Sequence, residues 1–288
     1  MKTNKIKLAL ALALLTAFML PAHAAIWQIY YPRPLTAEDE RPNYPLRLLS
    51  EALNATGVNY KLMPSERILL QSKALKQLQA NREVNVVWSM TDNQREADLL
   101  PIRIPIYKGL VGVRLFLIKP EHEKWFQGIR SFEQLTAYRP VSGHDWPDTK
   151  ILQANGLDAV TGPDYEQLFQ MMLEGKADFF PRSVVEIWDE WKNQEQLQIE
   201  SHLALYYPTA TYYFVNKNNV VLANLIQSGL QRILDNGRFE ALFMAEYAPM
   251  LEQAKMAERR IFTLDNPILP KDTPVADKRL WFDLLQQK

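Results

Sequence analysis

Apolar positions along the chain fall into two alternating periods, one of two residues and one near 3.6, which separate strands from helices. Ile26 to Tyr31 alternates, is rich in strand formers and stops at Pro32-Arg33-Pro34. Leu46, Leu49 and Leu53 then recur at helical spacing, and Thr56-Gly57 closes that helix before a strand over 58–62. A helix is predicted from Ser65, as its cap, to Gln79, with Arg67 in its first turn, where the helix dipole disfavours a cation. Buried strands follow at 84–88 and 111–118, with an irregular extended stretch over 99–106 between them. Strand, helix, strand is the rhythm of crossovers that build a parallel sheet, so the chain is read as α/β.

The stretch from Ser142 to Trp191 repeats that rhythm. Asp145, Asp148 and Thr149 stand where a helix start needs acceptors, and Asn155-Gly156 ends the helix. Leu168, Phe169, Met172 and Leu173 mark a second helix that stops at Gly175. The run 177–180 reads as a buried strand, and Pro181 as either the strand's end or the first turn of a third helix, which delivers Arg182 to the strand's carboxyl end. In open α/β sheets ligands bind in the crevice beyond that end. Further on, Tyr212 to Asn216 is a strand, and the apolar positions between Val220 and Leu234 make a strongly periodic helix.

The opening residues change the picture of where the protein works. Lys2, Lys5 and Lys7 precede an uncharged apolar run over 8–20 and a small-residue Ala22-His23-Ala24, the pattern of a leader removed on export, here after Ala24. At about 13 residues the run is short of the roughly 20 that span a bilayer. The chain has no cysteine, so neither disulfides nor lipid attachment at a cysteine is expected, and a free periplasmic protein is. With 33 basic and 33 acidic residues, three of the lysines in the leader, nothing electrostatic suggests nucleic acid or an anionic membrane surface. What remains after the leader is long enough for two lobes.

The order and spacing of several segments resemble the bacterial extracellular solute-binding proteins of family 3, the amino-acid-binding branch of the type II periplasmic binding proteins. The segments are Val86 to Thr91 followed by Arg95, Ile104-Pro105-Ile106-Tyr107-Lys108-Gly109, Ser131-Phe132-Glu133-Gln134-Leu135, Leu173 to Asp178, and Tyr212-Tyr213-Phe214 with Ile233 to Gly237. The resemblance implies two α/β lobes joined by two crossing strands, with ligand held between them by hinge closure. Residues 25–118 and 212–288 are assigned to the first lobe and 119–211 to the second. It implies that Arg95, after the Thr91 motif, clamps a carboxylate through its planar fork. It also implies that the turn from Gly143 to Thr149 offers main-chain N–H groups to an anion. Where the family carries an aspartate for the ligand's ammonium, this chain has Pro181-Arg182-Ser183, so an organic anion stands beside an amino-acid-like ligand.

Other readings stand beside these. Arg182 is either a ligand contact or the partner of Glu186, and Arg95 either a ligand contact or the partner of Asp92 or Asp98. Tyr30, Tyr31, Trp88 and Trp146 are either cleft walls or caps on the core; Arg67 and Arg114 are further candidates. His144, Asp145 and Asp148 read as a turn and not as a metal site, and no cofactor motif is present. A monomer is expected that binds a small molecule for an ABC importer or reports it to a membrane receptor. A dehydratase-like enzyme on the same fold is the rival class.

Overall fold

The structure, a computed structural model, describes residues 26–36 and 39–283; the leader and its cleavage point lie outside the described residues. The elements in chain order are β1 (Trp27–Arg33), α1 (Asn43–Thr56), β2 (Tyr60–Ile68), α2 (Gln71–Gln79), β3 (Val87–Met90), α3 (Asn93–Asp98), β4 (Leu99–Ile102) and β5 (Val113–Ile118). They continue with α4 (Glu123–Gln127), α5 (Phe132–Leu135), β6 (Val141–Gly143), α6 (Pro147–Ala154), β7 (Val160–Gly162), α7 (Tyr165–Leu173), β8 (Phe180–Ser183) and α8 (Ile187–Lys192). The last are β9 (Gln198–Ile199), β10 (Leu203–Tyr206), β11 (Thr211–Asn216), α9 (Val220–Asp235), α10 (Arg238–Ala254) and β12 (Arg260–Thr263).

Two lobes result. In the first, β1 and β2 pair in parallel, the N–H groups of Asn85 and Val86 bond the Tyr30 carbonyl just ahead of β3, and β11 runs antiparallel between β3 and β4. In the second, β5 is antiparallel to β8, β9 and β10, β6 pairs in parallel with β7, and the Pro140–Phe179 bridge joins that pair to the chain leading into β8. Both lobes therefore combine parallel and antiparallel pairing, and β11 enters the first lobe after the chain has passed through the second. The core is apolar throughout: β5 is buried at all six positions, and Phe116, Phe126, Phe179 and Phe180 are fully enclosed.

Three local expectations give way to tertiary pairing. The segment from Ser65 to Ile68 is strand and not helix, since Ser65 Oγ accepts from the Arg33 N–H and the Arg33 Nε–H bonds the Ser65 carbonyl. Pro181 sits inside β8, opposite Phe116, so Arg182 lies within the strand and the next helix waits until Ile187. Proline is tolerated there because, past the bridge at Phe179, only β5 pairs with β8 among the described residues. The pairing of β5 also places the first crossing ahead of Val113, not at 119.

The two crossings touch. The Tyr207 N–H donates to the Gly112 carbonyl at 3.1 Å, and a Cβ on Gly112 would stand 2.0 Å from the Tyr207 carbonyl oxygen. Residues after α10 add a third link: β12 pairs in parallel with β10 and Asp265 exchanges hydrogen bonds with Asn155. Past these, Asn266 reaches the Pro208 carbonyl, Trp281 covers Gly109, and the Phe282 N–H donates to the Lys108 carbonyl. The tail expected to stay on the first lobe thus leaves β12 in the sheet of the second.

Gly112→Ala should lower stability by about 1–3 kcal/mol, the usual effect of forcing atoms into a packed site, read as a shifted urea midpoint. Truncation after Leu264 should lower the unfolding temperature and broaden the interlobe distance distribution between spin labels at Lys76→Cys and Lys150→Cys, sites that the cysteine-free chain makes specific.

Candidate functional site

Between the lobes lies a cavity of about 360 Å³, within the range of small-molecule sites. The first lobe lines it with Arg33, Arg41, the 69–72 segment, Trp88, Ser89 and Tyr107, and the second with Arg114, the 144–148 turn, Pro163 to Tyr165, Arg182 and Glu186. Each wall follows from a local fold. The parallel β1–β2 pair ends at the cleft, so the chain from Leu69 enters α2 along its rim. On the other side the β6–α6 turn is held by Thr149, whose hydroxyl donates to Ser142 Oγ at 2.8 Å and to the Gly143 carbonyl at 2.6 Å.

Of the ligand-contact residues expected from sequence, Trp88, Arg114, Asp145, Trp146 and Arg182 line the cavity and the rest stand behind it or away from it. Arg67 is on the exposed side of β2, paired with Glu83. Thr91 is buried and donates to Glu96 at 2.7 Å. Tyr31 packs behind Trp88, ring centres 6.3 Å apart. Gly143 is covered by the Trp146 ring, which would overlap any side chain there. The hydroxyl of Thr149 is spent inside the turn, and the start of α6 carries its own anion, Asp148.

Arg95 sits on α3, its N–H received by the capping Asp92 carboxylate at 2.8 Å. Its guanidinium donates to Ser89 Oγ, the Met90 carbonyl and Gln71 Oε1 at 2.7, 2.7 and 2.9 Å, with Asp92 at 3.5 Å from Nε. Another bond, at 3.5 Å, crosses to the Asp145 carbonyl of the second lobe. A second contact across the cleft is the Arg41 guanidinium, 4.5 Å from the centre of the Tyr165 ring.

Arg182 is buried and held bidentately by Glu190, Nε and Nη2 each at 2.6 Å, with Glu186 at 3.2 Å. Its guanidinium lies 4.9 Å from the Trp146 ring centre. The partner expected from sequence, Glu186, is therefore secondary. Burial pushes the Glu190 carboxyl up, but the Arg182 charge and hydrogen bonds outweigh it and hold the group below its ordinary range. Burial dominates at Glu186 and raises that carboxyl, against the opposing pull of Arg182.

Arg114 is the strongest residue that sequence reasoning left in second rank. It is 3% exposed, its Nη2 pairs with Asp148, and Asp148 also accepts from the Tyr207 hydroxyl. Its Nε has no acceptor, and an unsatisfied buried donor of this kind costs about 1–3 kcal/mol or more. An arginine inside the apolar run Val111 to Ile118 was the available signal, since buried arginine is rare without a partner. Arg41, Tyr107 and Tyr165 had no comparable signal. As for metals, Glu123, Glu200 and His202 bring ligand atoms within 4.8 Å of one another away from the cleft, but Glu200 already accepts the His202 and Leu203 N–H groups and reads as a turn carboxylate.

Neither a protein-family model nor a curated protein sequence matches the chain. Solved structures do. An arginine-specific periplasmic binding protein of Salmonella typhimurium superposes with a TM-score of 0.56 at 14% identity, covering 79% of this chain and 98% of its own. The ligand-binding core of GluR0 from Nostoc punctiforme, in complex with L-glutamate, gives 0.54 at 14%, covering 77% and 100%. A histidine kinase sensor domain with similarity to periplasmic binding proteins gives 0.55 at 14%, covering 77% and 95%. The chain therefore has the two-lobe α/β fold of the type II periplasmic binding proteins. Among the described residues no helix is long and apolar enough to cross a membrane.

Glu190→Ala should destabilise the chain by about 3–5 kcal/mol, because it strands a buried cation. The Glu190 carboxyl has a lowered folded pKa, so its share of stability is present above about pH 4.5, its ordinary value, and is lost as pH falls through the folded one. A Glu190→Gln variant should show a shallower loss of unfolding temperature below that pH.

Proposed function

We propose that this chain is an exported solute-binding protein that takes a small carboxylate-bearing, amino-acid-like metabolite between its lobes. The observation that carries this reading is the composition of the cavity wall. Guanidinium groups with unused donors stand there beside Asp145, whose carboxylate has no protein partner among the described residues, within a frame of Trp88, Tyr107 and Trp146. The arginines at and behind the cleft are largely neutralised from within: Arg182 by Glu190 and Glu186, Arg114 by Asp148, Arg95 by Asp92, and Arg41 by Asp39. A site balanced in this way favours a ligand with both charges over a dicarboxylate. Arg182 and Trp146 contribute a wall, Asp145 and Glu186 receive a cation, and Trp88 closes the side toward the first lobe.

The leader pattern and the fold together support a periplasmic location and delivery to an ABC importer. Reporting of occupancy to a membrane receptor is the second reading, favoured by the likeness to a kinase sensor domain.

Thermal unfolding of the mature protein against amino acids, keto acids, dicarboxylates and short peptides tests the proposal. A ligand at 100 times its Kd adds about 2.7 kcal/mol, and in a chain of this size each kcal/mol moves the midpoint by about 2–4 °C. An amino-acid-like compound should give the largest shift. No shift with any member of the panel removes the reading.

A further inference from the structure

Three of the guanidinium groups at the cleft have no buried donor left unsatisfied, and Arg33, on the exposed rim, gives its Nε to the Ser65 carbonyl. Arg95 uses both Nη atoms on neutral oxygens and holds Asp92 near Nε, and it does not line the cavity. Arg182 gives Nε and Nη2 to the two oxygens of Glu190. Arg41 gives Nε and Nη2 to Asp39. Arg114 differs. It lines the cavity from the strand at the centre of the second lobe, 5.5 Å from the Tyr207 ring centre. Its Nη2 is paired with Asp148 and the guanidinium also bonds the Tyr207 hydroxyl, while Nε is closed off from solvent without an acceptor.

We infer that Arg114, and not Arg95, is the residue that receives the acid group of the ligand, its buried, unsatisfied Nε–H completed by a carboxylate seated beside Asp148. The inference rests on the cleft-binding reading above. Its chemistry is that of a buried donor array that the protein leaves incomplete: a carboxylate supplies acceptors and charge together, and guanidinium presents N–H groups in the plane that a carboxylate matches. Asp148 does not fill that role, since its Oδ1 is held by both Nη2 and the Tyr207 hydroxyl. Asp145, with its free carboxylate on the same turn, then faces the cationic end of the ligand, and the class of ligand is an α-amino acid or a close zwitterionic analogue. Because Tyr207 belongs to the second crossing and Arg114 follows the first, an acid group held there also links occupancy to the hinge.

Isothermal titration of the mature chain with L-glutamate, L-glutamine, L-arginine and succinate, each to millimolar concentration, tests this with Arg114→Lys and Arg95→Lys variants. Lysine keeps the charge and the Asp148 pairing but lacks Nε. Arg114→Lys should weaken the best-bound probe about 10- to 100-fold, the loss expected for a hydrogen bond between charged groups, and Arg95→Lys should change it by less than about 3-fold. Equal binding by Arg114→Lys, or a larger loss in Arg95→Lys, overturns the inference and leaves the binding reading intact. Absence of binding by all four probes to the wild-type chain overturns both. Should Arg114→Lys not fold, arginine Nε–H resonances of the wild-type chain give the same answer: the bound probe should move one solvent-protected Nε–H signal, and an unmoved set overturns the inference.

Discussion

The contact between the two crossings at Gly112 and Tyr207 is the constraint on which the rest of the arrangement depends. A main-chain hydrogen bond between them leaves no space for a side chain on Gly112. With the crossings pinned side by side, β5 and β10 enter the second lobe as antiparallel neighbours, and the strand that carries Arg114 is centred in that sheet. Tyr207 then lies against Arg114, and its hydroxyl reaches Asp148 at the start of α6. One tight approach of backbones thereby sets the position of a buried cation, its counter-ion and the turn that forms a wall of the cleft.

The cleft itself shows how a protein accommodates several arginines at low dielectric. Each buried guanidinium is matched by a carboxylate close in sequence or on the facing turn: Glu190 for Arg182, Asp148 for Arg114, Asp92 for Arg95. Such pairs answer the desolvation of charge more than they add stability, and they leave few donors free. The Arg95–Asp145 and Arg41–Tyr165 contacts cross between lobes, so closure has its own contacts besides those a ligand would add. The tail after α10 is tied to both lobes and constrains the same motion from outside the cleft.

Local pattern proved least informative where a residue's neighbour comes from far along the chain. Ser65 has the character of a helix cap, yet Arg33 bonds it into a strand. Pro181 has the character of a strand end or a helix start, yet β5 accepts it within a strand. The aromatic character of the cleft was legible at Trp88 and Trp146, but Tyr107 reaches it from a loop and Tyr165 from the first residue of α7, where the sequence carries no sign of direction.

By itself the sequence determined the α/β class, the main helices and buried strands and the leader-like start, because apolar periodicity and turn residues act over a few positions, while its length and its family resemblance pointed to two lobes. It also marked Arg182 and the 143–149 turn as lying near a strand end. Only the tertiary structure decided which arginines are spent on internal carboxylates and which retain free donors. That depends on distances between Arg182 and Glu190 across β8 and α8, and between Arg114 and Asp148 across β5 and α6. Those distances are set by how sheets and helices pack, and no spacing along the chain encodes them.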